Sequence, residues 1–171
     1  LEQLARIDTV AFDKTGTLTE GRLSLGTLLP LEAISEFDLL RIAATAEQNS
    51  EHPLARVLME QANERGMVLP PVSQFTALPG AGVIVQCQKS LVGNAFQSLE
   101  TQDSPHLDIM VGNRRLMEQH KLPLSEDVLT RLNNLDHNGE TSLIVAVNQQ
   151  VIGIIGARDT IRPEAAEVLH E

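Results

Sequence analysis

Tryptophan and tyrosine are absent from this 171-residue sequence, and four phenylalanines are its whole aromatic complement. A core must therefore be built from Leu, Ile, Val and Ala, and stacking platforms for nucleic-acid bases are scarce. There is a single cysteine, Cys87, which excludes an internal disulfide and suits a reducing compartment such as the cytoplasm. The five histidines, His52, His106, His120, His137 and His170, are scattered, so no His/Cys cluster has metal-ligand spacing. Basic residues are in the minority, 13 against 23 acidic, and the resulting net charge of -10 argues against nucleic-acid or anionic-membrane partners, which need a basic surface to displace counterions. The longest apolar runs, such as Val151 to Ala157, fall far short of the ~20 residues that cross a bilayer, and the N-terminus has no signal-peptide pattern. The chain as it stands is expected to be soluble and monomeric.

What is present is a chain of ordinary domain size with an average apolar content, enough for a real core. Ile7 to Phe12 reads as a short strand running into Asp13, and a second extended stretch covers about Arg22 to Leu29. From Ser35 the spacing becomes helical, with Phe37, Leu40, Ala43 and Ala44 on one stripe, Ser35 or Asp38 as the cap and an end near Glu47. Pro53 suits the first turn of a second helix, whose stripe of Leu54, Val57, Leu58 and Ala62 stops at Gly66. Gln74 to Leu78 and Val83 to Cys87 form a hairpin around Pro79-Gly80-Ala81-Gly82. Residues 95–107 are polar and read as a mobile surface loop. Ile109 to Val111 leads through Gly112-Asn113 into a short helix, and a longer helix covers about Ser125 to Leu135. Leu143 to Val147 and Val151 to Ile155 make a closing hairpin with Asn148-Gln149-Gln150 as its turn.

The strongest chemical signal is Asp13-Lys14-Thr15-Gly16-Thr17-Leu18-Thr19. The Asp13 carboxylate is a candidate nucleophile just past the end of a strand, where open α/β sheets gather ligands. Gly16 permits a tight turn, so that backbone N–H groups and the Thr15 and Thr17 hydroxyls can surround a phosphate while Asp13 takes up a phosphoryl group as an acyl-phosphate. Four of these residues alone would be better read as a surface turn; seven specified positions are not. This heptapeptide resembles the phosphorylation motif of the P-type ATPases. In the related haloacid-dehalogenase phosphatases an acidic residue stands two positions after the nucleophile and acts as general acid/base. Here that position is Thr15, which cannot do so, and an aspartyl-phosphate is expected to persist.

Further elements carry the same resemblance. Ser50-Glu51-His52-Pro53-Leu54-Ala55 resembles the signature of the heavy-metal branch, in which the histidine orients ATP; Glu47 then falls where the family places a carboxylate near the adenine amino group, a donor that wants an acceptor. Read without that context, Glu47 is a solvated residue and His52 a helix cap. Gly80 and Gly82 resemble the glycine pair beneath the nucleotide, where missing side chains let a flat ring approach the backbone. Gly112-Asn113-Arg114 resembles the element whose asparagine reaches ribose or phosphates, and is preferred over its decoy Val92-Gly93-Asn94 because a helix follows; Asn113 can also be an N-cap. Asp159-Thr160-Ile161-Arg162-Pro163 resembles the return into the phosphorylation domain, although Asp159 by position suits an N-terminal cap.

The resemblance implies an α/β fold with an antiparallel sheet of about six strands flanked by helix pairs, inserted in a partial Rossmann-like, haloacid-dehalogenase-like phosphorylation domain. The implied domains are 1–20 and 157–171 for the phosphorylation domain and 21–156 for the nucleotide-binding domain. It also implies the cytoplasmic part of an integral membrane pump, with ATP and ADP as ligands, Mg²⁺ as cofactor, and the remaining phosphorylation, actuator and membrane domains as partners. Copper is the favoured cargo, with zinc and cadmium as alternatives. The family's later Thr-Gly-Asp and Mg²⁺-holding Gly-Asp-Gly-x-Asn-Asp motifs do not occur in the sequence, so this chain by itself is expected to bind nucleotide with little turnover. Two other readings stay open at this point: a haloacid-dehalogenase-type phosphatase, and a non-catalytic nucleotide-binding or interaction module.

Overall fold

Alternating apolar residues and well-placed turn glycines produce one long antiparallel sheet. The computed structural model describes residues 17–31, 34–88, 105–162 and 165. Its elements are β1 (Thr19–Pro30), α1 (Glu36–Glu47), α2 (Pro53–Glu64), β2 (Val72–Leu78), β3 (Gly82–Gln88), β4 (His106–Gly112), α3 (Arg114–Gln119), α4 (Glu126–His137), β5 (Thr141–Val147) and β6 (Gln150–Ile161). The strands lie in the order β1-β6-β5-β4-β3-β2, an antiparallel meander from β2 to β6 with β1 on the far edge. The expected α/β architecture with a six-stranded sheet is therefore the one observed. The strand expected over 7–12 and the decoy at 92–94 lie outside the described residues, as does Pro163 at the end of the expected return segment.

The chain divides into two compact units, Leu25–Arg158 and a second made of Leu1–Ser24 with Asp159–Glu171. Within the second, the buried Thr19 donates its hydroxyl hydrogen bond to the Asp159 carboxylate, and Arg162 donates from its backbone N to Leu18 O at 3.0 Å and from Nε to Thr19 O at 3.1 Å. Asp159 is thus a strand residue of β6 engaged with a neighbouring strand, not the helix cap its sequence position suggests.

In the larger unit the two sheet faces are packed by different helix pairs. Met110, Ile144, Ala146 and Ile154 form one buried cluster with Leu116 and Met117 of α3 and Val128, Leu132 and Leu135 of α4. The period of two along a strand sends Leu107, Ile109, Val111, Leu143 and Val145 to the opposite face, where α1 lies against the sheet. Helix α1 buries nearly its whole circumference, including Leu39, Leu40, Ile42, Ala43, Ala44 and Ala46. Phe37, expected on its core stripe, is instead 44 % exposed, because it stands in the first turn where the helix has not yet reached the sheet's protection. Gly153 lets α1 come close, since a Cβ there would meet the Leu39 methyls at 2.5 and 2.6 Å.

Two loop expectations are corrected. His106 and Leu107 belong to β4 rather than to a mobile loop: Leu107 is fully buried and pairs with Cys87. The polar run before them hid a strand end whose single apolar residue is its inward one. The β5–β6 turn is Asn148-Gln149 only, both at positive φ, with Gln150 already paired to Val147. That is the two-residue hairpin geometry whose twist matches the flanking strands.

Candidate functional site

Helix α1 ends at Glu47, and the chain crosses in five residues to the N-terminus of α2. Ser50 N donates to Glu47 O at 2.9 Å, which turns this crossing inward. His52 is the N-cap of α2, its Nδ1 accepting from Leu54 N at 3.2 Å, with Pro53 in the first turn. A neutral His52 that accepts on Nδ1 carries its proton on Nε2, so Nε2 is the donor left for a ligand. Capping and ligand contact are thus compatible here and not alternatives.

Facing this crossing is the β2–β3 turn. Ala81 N donates to Leu78 O at 2.9 Å around Pro79 and Gly80, and Gly80 has φ +69°, the pattern of a type II turn. A Cβ on Gly80 would meet nothing within 4 Å, so the side of the turn left open there is available to a flat ligand. Gly82 and Gly112 are different. They pair across β3 and β4, and a Cβ on Gly82 would stand 2.2 Å from Val111 O and 2.5 Å from the Gly112 Cα. Their missing side chains serve strand contact. Asn113 ties this together: its backbone N donates to Ala81 O at 2.8 Å, its Nδ2 donates to Gly80 O at 2.9 Å, and its Oδ1 accepts from Leu116 N at 3.3 Å as the cap of α3.

These pieces enclose a cavity of about 510 Å³, lined by Glu47, Ser50, His52, Gly80, Gly82 and Asn113 among others. Its volume is that of a small-molecule site. Five of the six sequence-predicted pocket residues line it, and Gly112 stands behind Gly82. Thr141, Ser142 and Leu143 at the start of β5 complete the wall and went unnoticed in the sequence. No local signal marks them; the sheet order brings β5 beside β4 and its end beside Asn113.

Glu47 is the electrostatic centre. Only 4 % of it is exposed, and its Oε2 has no hydrogen-bond partner among the described residues. Burial pushes its carboxyl above the ordinary value of 4.5, while hydrogen bonding with the Ser50 side chain and attraction to His52 pull it back down. A buried carboxylate oxygen without a donor is costly unless a ligand supplies one. Of the residues assigned to phosphoryl transfer, Asp13, Lys14, Thr15 and Gly16 lie outside the described residues, and Thr17 is exposed ahead of β1.

The chain belongs to the haloacid dehalogenase-like hydrolases, whose family model matches residues 7–171. Within that class it is homologous to heavy-metal P-type ATPases. It is 35% identical over 171 residues to a probable copper-exporting P-type ATPase of Archaeoglobus fulgidus, covering 100% of this chain and 18% of the relative. It is 37% identical over 169 residues to a probable cobalt/nickel-exporting P-type ATPase of Mycobacterium bovis, covering 98% of this chain and 22% of that one. A crystal structure of a zinc-transporting PIB-type ATPase in its E2.Pi state superposes with a TM-score of 0.70 at 32% identity, over 99% of this chain and 24% of the other. The chain thus spans about a fifth of the length of the curated relatives it matches. No helix among the described residues is long and apolar enough to cross a membrane.

Proposed function

We propose that this chain is the ATP-binding part of a heavy-metal P-type ATPase, that the cavity at Glu47 holds the adenine ring, and that the nucleotide so held delivers its γ-phosphoryl group to Asp13. The observation that carries the reading is the buried Glu47 Oε2 without a donor, in a cavity whose floor is opened at Gly80. The exocyclic amino group of adenine is a donor of the right kind, whereas guanine presents a carbonyl oxygen at the same ring position and would meet Glu47 with like polarity. His52 Nε2 and the second Nδ2 hydrogen of Asn113 are further polar contacts available to the nucleoside. In the transfer itself the Asp13 carboxylate attacks the γ-phosphorus, the bond to the β,γ-bridging oxygen breaks and ADP leaves. Mg²⁺ would offset charge on the phosphates, with ligands expected largely in other parts of the pump because the Gly-Asp-Gly-x-Asn-Asp motif does not occur in this sequence.

The parent protein on this reading is a membrane-embedded, ATP-hydrolysing exporter of a transition-metal cation, and copper is the first ion to assay, followed by zinc, cobalt and nickel. The test is a titration of the isotope-labelled chain with ATP, ADP and GTP, following backbone amide shifts. ATP and ADP are expected to perturb Glu47, Ser50, His52, Gly80 and Asn113, with GTP far weaker. Silence of that cluster at saturating ATP, or equal response to GTP, overturns the assignment of the cavity.

A further inference from the structure

The cavity at Glu47 suits a base but not a polyphosphate. Its charged lining residues are Glu47 and Glu51, and neither Lys nor Arg is among its lining residues. A nucleotide seated there must run its phosphates elsewhere, and the surface offers one continuation. A second, shallower cavity of about 590 Å³ shares Asn113, Thr141 and Ser142 with the first and is lined beyond them by Arg114, Arg115, Asp136 and Glu140. Three of these four charged groups are already engaged. Arg114 Nη2 donates to Asn133 Oδ1 at 2.8 Å and pairs with Asp136 Oδ2 at 2.9 Å. Glu140 accepts from Thr27 N and from Thr27 Oγ1, each at 3.0 Å. Arg115 is exposed and makes no ion pair among the described residues; its guanidinium only brushes Pro79 O, Nη2 to O 3.4 Å, on the turn that carries Gly80.

We infer that Arg115 is the phosphate-binding residue of this nucleotide site, closing over the α- and β-phosphates where they pass Asn113 into the second cavity. The inference rests on the adenine-site reading above. An arginine fork matches phosphate oxygens two at a time, and a contact as long as that to Pro79 O is readily exchanged for one to a phosphate. Arg114, locked onto α4, instead offsets the charge of Asp136. Thr141 and Ser142 line both cavities and so join the two.

The experiment compares adenosine, AMP, ADP and ATP on the wild-type chain and on Arg115→Gln, Arg115→Lys and Arg131→Gln, by calorimetry or amide shifts. Arg131 lies on α4 beside a separate cavity and controls for net charge. Affinity is expected to rise with phosphate number in the wild type. Arg115→Gln should lose about 3–10-fold for ADP and ATP and nothing for adenosine; Arg115→Lys should recover part of that, and Arg131→Gln should match wild type. ADP and ATP binding unchanged in Arg115→Gln, or weakened equally in Arg131→Gln, overturns this inference and leaves the adenine site standing. No response of the wild type to any of the four ligands overturns both.

Discussion

Of the four helices among the described residues, three end alike and one does not. Helices α2, α3 and α4 close through residues at positive φ, Gly66, Lys121 and Gly139, each with the paired backbone bonds of a Schellman motif, for example Met67 N to Ala62 O and Gly66 N to Asn63 O. Helix α1 instead runs on through Gln48 in right-handed geometry, and the Gln48 side chain donates to the carbonyls of Thr45 and Pro70 at 2.8 and 2.9 Å. Its last residue is the buried Glu47. A carboxylate at a helix C-terminus is opposed by the helix dipole, and here it is also desolvated. The three conventional ends satisfy the last carbonyls of their helices; the fourth places a buried carboxyl in the wall of a cavity.

The contrast can be broken most severely at the glycine contact beneath the site. Gly82→Ala should cost about 3 kcal/mol or more, since its Cβ has no space and its φ of +148° disfavours any side chain. Urea denaturation measures this, and Gly80→Ala, where the Cβ meets open space, should cost about 1 kcal/mol through φ only. Asn113→Ala removes an N-cap and the tie to Gly80 O together and should cost about 1–2 kcal/mol while loosening the turn, visible as faster amide exchange at Ala81.

Glu47→Gln tests that buried carboxyl directly. Because the folded state holds the Glu47 proton more tightly than the unfolded chain, stability should be greater at low pH and fall as pH rises from about 4.5 to the raised folded value. The variant should lose that slope, gain roughly 1 kcal/mol at neutral pH and lose adenine discrimination. In the wild type, ATP should bind more weakly as pH falls through the same window. The smallest effect is expected at the other kind of helix end: Lys121→Gly relieves a non-glycine left-handed residue, φ 54°, and should stabilise by about 0.5–1 kcal/mol in thermal melts with no change in nucleotide binding.

Much of this was legible from local pattern. The helix of Leu54, Val57, Leu58 and Ala62 and its stop at Gly66 follow from spacing and a left-handed glycine, and both are observed. So does the hairpin around Pro79-Gly80. The first two residues of β4 were not legible, because Leu107 is one apolar residue after a polar run and only its pairing with Cys87 makes it a strand. Phe37 misled because a helical stripe marks a face but not the turn at which that face meets the sheet.

The sequence by itself determined the helical and strand periodicities and most of the turns, since these depend on chemistry within a few residues; Glu47, His52, Gly80 and Asn113 stood out through their resemblance to the family's motifs, and a ligand role for them is a proposal. Only the tertiary structure decided that Gly82 and Gly112 serve each other across two strands, that Thr141 and Ser142 wall the cavity, and that Arg115 rather than Arg114 is left to meet a ligand. Those assignments turn on which atoms long-range pairing brings within van der Waals or hydrogen-bond distance, a quantity that no local pattern carries.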